Sequence, residues 1–254
     1  MNNDVIIELR RVVKHLGGQR VLDGLDLSVT RGETLVIMGR SGAGKSVILK
    51  HMIGLMRPDN GEILFNNRPL GQMGRRELDG VRRRFGMLFQ SAALFDSMNV
   101  GRNVSAALRR HTRLTEEQID EVVREKLAAV GLSMVQERMP AELSGGMRKR
   151  VGLARAIAMD PEVILYDEPT TGLDPITADS INDLIVDTRR RLGVTSVVVT
   201  HDVASALKVG TRFSFLLDGK IYFSGRGEEL RNSRDPAVRQ FLEGRAEGPL
   251  TGNH

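Results

Sequence analysis

The chain contains no cysteine and no tryptophan, and only ten of its residues are Phe or Tyr. Without cysteine there is neither a disulfide framework nor a thiolate metal site, which fits a reducing compartment. So few aromatics, with no tryptophan, leave no stacking platform for single strands, and no nucleic-acid partner is expected. No run approaches the ~18 consecutive apolar residues of a membrane-spanning helix. The opening Met1-Asn2-Asn3-Asp4-Val5-Ile6-Ile7-Glu8 is not a secretory signal. If the protein works at a membrane, other chains must hold it there. Repeats and low-complexity tracts are absent as well. What is present is 254 residues with 41% hydrophobic content, enough for one well-packed domain with a subdomain inserted in it. The formal net charge of +5 reads as a basic but ordinary surface.

Patterning then supplies the elements. Ile6–Leu9 and Leu25–Val29 alternate as half-buried strands, and Thr34–Met38 is a continuous apolar run, as in a strand buried on both faces. A helix is expected from Lys45, with Val47, Ile48, Met52 and Ile53 inward and Gly54 near its end. Gly61–Phe65 is a further strand, and Met87-Leu88-Phe89 leads to Gln90. From about 97 to 155 the pattern turns helical. Thr115-Glu116-Glu117-Gln118 is a capping box whose helix ends near Gly131, and another helix opens at Gly145-Gly146. Strands return at Val163–Tyr166 and Ser196–Val199. The helix between them turns Ile181, Leu184, Ile185 and Leu192 to the sheet and closes at Gly193. Asp218-Gly219 is a two-residue hairpin turn, and Val238, Phe241 and Leu242 mark a short helix in the tail. Strands alternating with helices imply an α/β fold with a largely parallel sheet, beside which the early strands form a small antiparallel layer. The arginine runs 82–84 and 189–191 read as solvated faces, although the first could also attract anionic headgroups.

The chemistry gathers at a few places. Gly39, Arg40, Ser41, Gly42, Ala43, Gly44, Lys45 and Ser46 lie between a buried strand and a helix, the context of a phosphate-binding loop. Gly39, Gly42 and Gly44 let the backbone approach and take positive φ, so that N–H groups converge on a phosphate. The helix start adds its positive dipole end. Lys45 should reach the β- and γ-phosphates, and Ser46 should ligate Mg²⁺. Asp167 and Glu168 end an apolar strand at the ligand-binding edge of a parallel sheet. Asp167 is read as the Mg²⁺ partner and Glu168 as the base that orients and deprotonates water. His201, at the end of another strand, falls on the same edge and can donate to the γ-phosphate.

These motifs, in their order, resemble the ATPase subunits of ABC transporters: Gly39–Ser46, Gln90, Leu143-Ser144-Gly145-Gly146, Val163–Glu168, Gly172-Leu173-Asp174 and His201. The resemblance covers about 5 to 225. It implies a RecA-like P-loop NTPase core, ATP and Mg²⁺ as ligands, and a head-to-tail homodimer. Ser144, Gly145 and Gly146 of one copy would cap the γ-phosphate held by Lys45 of the other. Asp174 would contact the opposite subunit, and Gln90 would sense Mg²⁺ beside the groove that receives a membrane partner. The signature departs from the family at Met147, where glutamine is commonest. Near residue 15 the family has an adenine-stacking aromatic, whereas this chain has His15 and Leu16. A looser base preference follows as an expectation.

Within that family, Leu-Ser-Gly-Gly-Met, the stretch 87–100 and the tail 235–244 resemble the Mla-type ATPases of Gram-negative phospholipid transport. That resemblance implies an integral permease, an MCE-domain lipid-binding protein and a small STAS-domain protein as partners, and a place on the cytoplasmic face of the inner membrane. The expected organisation is an ATPase domain over 1–225, with a helical subdomain at about 97–155, and an extension over 226–254 that touches the second copy. The alternative within transporters is another substrate, such as amino acids. Repair ATPases of this class insert long coiled coils, and translation factors carry two cassettes; this chain has no sustained heptads and one cassette. A regulator without turnover would not need Lys45, Asp167, Glu168 and His201 together.

Overall fold

The computed structural model describes residues 4–251, so the ends of the N-terminal stretch (1–3) and of the C-terminal extension (252–254) lie outside the described residues. The chain divides into two compact units, Met1–Met73 with Val198–His254, and Gly74–Val197.

The first unit opens with β1 (Val5–Leu16) and β2 (Gln19–Thr30), a long antiparallel hairpin. The strands expected at 6–9 and 25–29 lie inside them but cover less than half of each. The pairing shifts register four times between Val5 and His15, and Arg11 sits at φ 47°. Each extra residue breaks the two-residue alternation on which the sequence reading relied. β3 (Thr34–Met38) is buried at all five positions, as its apolar run predicts. α1 (Lys45–Met52) follows the glycine loop. Ile48, Met52 and Ile53 point inward as expected, Val47 is only half-buried, and Leu49 and His51 join the buried face. His51 accepts this place by pairing Nδ1 with the Val47 carbonyl at 2.7 Å, and burial holds its pKa below the usual imidazole value. β4 (Asn60–Phe65) and β5 (Arg68–Pro69) complete the antiparallel layer in the order β2-β1-β4-β5.

The second unit begins with α2 (Arg75–Arg82), which the sequence reading did not anticipate because Leu78 and Val81 are its only large apolar residues. β6 (Phe85–Leu88) pairs in parallel with β7 (Val163–Asp167), Phe85 opposite Val163 and Leu88 opposite Tyr166. Between them run α3 (Val100–His111), α4 (Glu116–Ala129) and α5 (Gly145–Ile157). The capping box forms: Gln118 N–H donates to Thr115 Oγ1 at 3.3 Å, and Thr115 N–H donates back to Gln118 Oε1 at 2.9 Å. Because β6 and β7 belong to the same unit as these helices, that unit is wider than the 97–155 insertion. In α6 (Pro175–Leu192), Ile181 and Ile185 are buried as expected, but Asn182 and Thr188 share that face. Leu184 is only half-buried, and Leu192, in the last turn before Gly193 (φ 64°), remains 42% exposed. Of the arginine runs, Arg84 pairs with Glu162 at 2.7 Å, while Arg189–Arg191 close α6 and so face its negative dipole end.

β8 (Thr195–Thr200) carries the chain back into the first unit, to α7 (Val203–Val209), β9 (Arg212–Leu217) and β10 (Lys220–Arg226). β9 runs parallel to β3, with Leu35 opposite Arg212 and Met38 opposite Phe215. The hairpin turn is as predicted, with Asp218 at φ 48° and Gly219 at φ 74°. The tail holds α8 (Gly227–Arg231) and α9 (Pro236–Glu243). Val238 is buried and the Phe241 ring lies 4.9 Å from that of Phe215. The apolar face of the tail helix is thus partly covered within its own chain, with Phe241 and Leu242 half-buried.

Candidate functional site

The phosphate loop lies in the first unit, between β3 and α1. Its glycines do different jobs. Gly42 and Gly44 take positive φ, 79° and 98°, as expected. Gly39 does not. A Cβ there would stand 2.7 Å from the Leu216 carbonyl oxygen, so its smallness lets β9 pass close behind the loop. Helix α1 starts at Gly44 with no side chain capping it, so its positive dipole end faces the loop. Lys45 is 5% exposed, and its ammonium donates to the carbonyls of Gly39 at 2.9 Å and Arg40 at 3.0 Å. A buried cation laid across a ring of backbone groups is suited to a multiply charged anion. Arg40, Ser41 and Gly42 are exposed, and Ala43 and Ser46 half-buried. A hollow of about 590 Å³ borders the loop, lined among others by Arg20, Ala43, Asp218 and Leu250; Arg40 reaches across to the Leu250 carbonyl at 2.6 Å. His201 follows the last residue of β8 and is exposed, immediately before Asp202, whose carboxylate caps α7. His15 is also in this unit. Its ring nitrogen lies 3.2 Å from Asp59 and its backbone N–H donates to the same carboxylate at 2.7 Å.

The remaining predicted residues lie in the second unit. Asp167 ends β7 and Glu168 follows it; both are buried carboxylates, about nine-tenths covered. Glu168 stands at φ 47°, a backbone region that costs a non-glycine residue about 1–3 kcal/mol and that clusters at working sites. Thr171 Oγ1 donates to its Oε2 at 3.3 Å. Ser144 caps α5, its hydroxyl accepting the Met147 N–H at 3.3 Å. Gly145 and Gly146 let α5 start close against the next segment: a Cβ on Gly146 would stand 2.6 Å from Thr177 Cγ2, and one on Gly145 3.3 Å from Leu173 Cδ2. Asp174 caps α6 by accepting the N–H groups of Ile176 at 3.1 Å and Thr177 at 3.0 Å. The Thr177 side chain first, and then these N–H groups, hold its pKa below the usual value. Gln90 lies exposed just after β6.

One residue of this unit escaped the sequence reading. Lys149, in α5, is 5% exposed and donates to the Gln90 carbonyl and, at 3.3 Å, to the Glu168 carbonyl. Burial pushes its pKa down to about 8, while the carboxylates of Asp167 and Glu168 hold it up. A signal existed: residues 149, 152, 153 and 156 form one helical stripe, and all four are buried. A charged residue on a buried stripe needs partners. Next to Gln90 in the sequence, Phe89 joins Phe85, Met87, Phe95, Arg75 and Arg110 in lining a groove of about 750 Å³. All of these belong to the same unit.

Comparison with known proteins fits this inventory. The ABC transporter family matches residues 22–171. The intermembrane phospholipid transport system ATP-binding protein MlaF of Escherichia coli (strain K12) is 45% identical over 245 residues, covering 96% of this chain and 91% of the relative. The probable ribonucleotide transport ATP-binding protein mkl of Mycobacterium leprae (strain TN) is 43% identical over 246 residues, covering 97% and 71%. Among solved structures, the ATP-binding cassette MJ0796, a dimer in a post-hydrolysis state bound to ADP and Pi, superposes with a TM-score of 0.80 at 32% identity, over 87% of this chain and 98% of that one. CbiO1 from Clostridium perfringens, part of the ABC transporter complex CbiONQ, gives 0.82 at 28% identity over 96% of each chain.

Proposed function

The chain belongs to the ABC-transporter family as one of its ATP-binding subunits, and from that premise we propose that it drives phospholipid movement between the membranes of a Gram-negative envelope. It has the P-loop NTPase fold of the cassettes it superposes on, and it is an ABC-type ATPase. The observation that carries the lipid reading is the near end-to-end match to MlaF. The name of the mycobacterial relative supports a second reading, ribonucleotide transport, at similar identity but over less of that relative's length.

In the proposed mechanism, Lys45 and the N–H groups of the loop Gly39–Ser46 hold the β- and γ-phosphates of ATP. Two copies pair head to tail, and Ser144, Gly145 and Gly146 of each close on the γ-phosphate held by the other. Glu168 takes the proton of the attacking water, and His201 donates to the γ-phosphate. Asp174 carries the contact between copies. Ser46, Asp167 and Gln90 offer a hydroxyl, a carboxylate and an amide oxygen, the hard donors that suit Mg²⁺ held chiefly by phosphates and one or two carboxylates. When bound, Mg²⁺ would neutralise charge between the phosphates. The apolar groove next to Phe89 and Gln90 would receive the permease, so that closing and opening of the pair is transmitted to the membrane. The ATPase domain would then occupy about 1–225 and 226–254 would form the extension. An MCE-domain protein and a STAS-domain protein would complete the assembly at the cytoplasmic face of the inner membrane. Among the described residues no helix is long and apolar enough to cross a membrane, so attachment would come through the permease.

The test is to purify the full chain from membranes with whatever accompanies it, and then to measure phosphate release and lipid exchange between vesicles. A permease with an MCE-domain companion and ATP-dependent lipid exchange is the expected result. A ribonucleotide or amino-acid permease would overturn the lipid reading and leave the ATPase intact.

A further inference from the structure

The mechanism above gives Lys149 no part, yet its ammonium joins two residues that have one. Its stem runs through the buried stripe of α5, and its head donates to the main-chain carbonyls of Gln90 and Glu168. Neither acceptor is a side chain. The bonds therefore fix how these two peptide groups are turned, which in turn sets where the Gln90 and Glu168 side chains point. At Glu168 this matters most, because its backbone sits at φ 47° and needs its surroundings to hold it there.

The rest of α5 is built to make that hold stiff. A Cβ on Gly152 would stand 2.8 Å from Leu88 Cδ1 and 3.2 Å from Ala92 Cβ, and one on Gly86 2.3 Å from the Ala156 carbonyl oxygen. The helix and β6 thus approach as closely as two missing side chains allow. Further along, Arg155 donates to the carbonyls of Ala92 and Ala93, each at 2.6 Å, where both residues stand at positive φ. One helix therefore grips the segment after β6 with two cations, and the first of them also reaches the turn after β7. Charge-assisted bonds of this kind are stronger than neutral ones, and a buried ammonium cannot exchange them for water.

We propose that Lys149 is a positioning residue for hydrolysis: by bridging the backbones of Gln90 and Glu168 it makes the segment facing the partner groove and the catalytic base move as one piece with the signature helix. The inference rests on the reading of Glu168 as the base. It predicts that removing the bridge lowers turnover and leaves nucleotide capture alone, since the phosphate loop belongs to the other unit and none of its residues touches Lys149 through these bonds.

The experiment is steady-state ATP hydrolysis by the full chain purified with its membrane partners, comparing wild type, Lys149→Met, Lys149→Gln, Lys149→Arg and Glu168→Gln. Lys149→Met is expected to lower kcat about tenfold or more with KM for ATP within about twofold. Lys149→Arg, which keeps the charge and several donors, should recover most of kcat, and Lys149→Gln should fall between. A Met variant with wild-type kcat would overturn the bridge, provided Glu168→Gln is inactive. So would an Arg variant as slow as the Met variant, or a loss shared between kcat and KM, since each describes a merely structural lysine. If the Met variant does not fold, the Gln and Arg variants decide by the same criteria. If Glu168→Gln keeps normal turnover, both the base assignment and the bridge fall.

Discussion

Two helices of this protein begin with glycines and both are assigned to the same phosphate, but they begin differently. α1 starts at Gly44 in a left-handed conformation with no side chain capping it, and a buried lysine folds over the loop before it. α5 starts with Ser144 capping its own Met147 N–H, and its glycines serve packing against Leu173 and Thr177. In the proposed mechanism the first start holds the phosphates from within its own chain. The second is a stable helix end whose approach to a phosphate depends on where a second copy places it. Capture of ATP should therefore reside in the first unit and turnover chiefly in the second, His201 being the first unit's share in it, and substitutions should separate the two.

The largest effect should come from the second unit. Glu168→Gln removes the base while keeping shape, and kcat should fall about 100-fold or more, the usual worth of a general base. ATP binding should survive, and the variant should elute as an ATP-dependent dimer in size-exclusion chromatography. Wild-type hydrolysis by this variant would remove Glu168 from its role and dissolve the contrast between the two units.

The glycines sharpen the contrast. At Gly44, φ is 98° and an added Cβ would meet Val21 Cγ1 at 2.7 Å, so Gly44→Ala strains the loop itself. It should weaken ATP binding about tenfold or more, as measured by isothermal titration. Gly146→Ala adds a Cβ 2.6 Å from Thr177 Cγ2, which pushes α5 from α6 without touching the phosphate loop. It should leave binding to one copy unchanged and reduce kcat about tenfold, with loss of the ATP-dependent dimer in the Glu168→Gln background. If Gly146→Ala weakened binding as much as Gly44→Ala, the division of labour would be wrong.

How much of this could be read from sequence follows the same division. The phosphate loop is contiguous, so Gly39–Ser46 announces itself between a buried strand and a helix. The role of Gly39 was still misassigned, because the carbonyl it makes room for belongs to Leu216, far along the chain. Asp167, Glu168 and His201 could be placed at strand ends because β7 and β8 are built round short apolar runs, Val163–Tyr166 and Val197–Val199. β1 and β2 were cut short because bulges destroy the alternation that betrays a strand. Leu192 was placed inside because periodicity cannot tell that the last turn of a helix stays exposed. Lys149 was missed for a different reason, although its place on the buried stripe of α5 marked it as needing partners. Its partners are backbone carbonyls, and no residue type marks a carbonyl that accepts a buried ammonium.

The tail tests whether the first unit needs its extension. Phe241 is half-buried against Phe215, a residue of the strand paired with β3 directly before the loop. Phe241→Ala should cost about 1–2 kcal/mol, below the range for a fully buried ring, and lower the melting temperature by a few degrees. A fall in stability with unchanged ATP affinity would make the tail a brace. A rise in affinity would instead show that Leu250, held to Arg40, obstructs the loop.

The smallest effect should lie at His15. Were its ring the platform for the adenine base, removing it would forfeit a stack of about 1–3 kcal/mol, at least fivefold in affinity. The ring is tied elsewhere, however: Asp59 holds both the His15 backbone N–H and Nδ1, and the imidazole is exposed rather than braced against an apolar wall. Asp59 itself is a firm tether. The Lys14 ammonium first, and the His15 N–H after it, hold its pKa down to about 2. A carboxylate depressed on folding adds stability above its unfolded value and loses it only as pH falls toward about 2, so this tether stays charged at any working pH. His15→Ala should therefore change KM for ATP by less than about threefold, short of what the weakest stack would forfeit. GTP should compete with ATP almost evenly, since the His15 imidazole is held by Asp59. Strong ATP selectivity that His15→Ala abolishes would show that the imidazole leaves Asp59 for the nucleotide, and would make capture depend on a residue outside the phosphate loop.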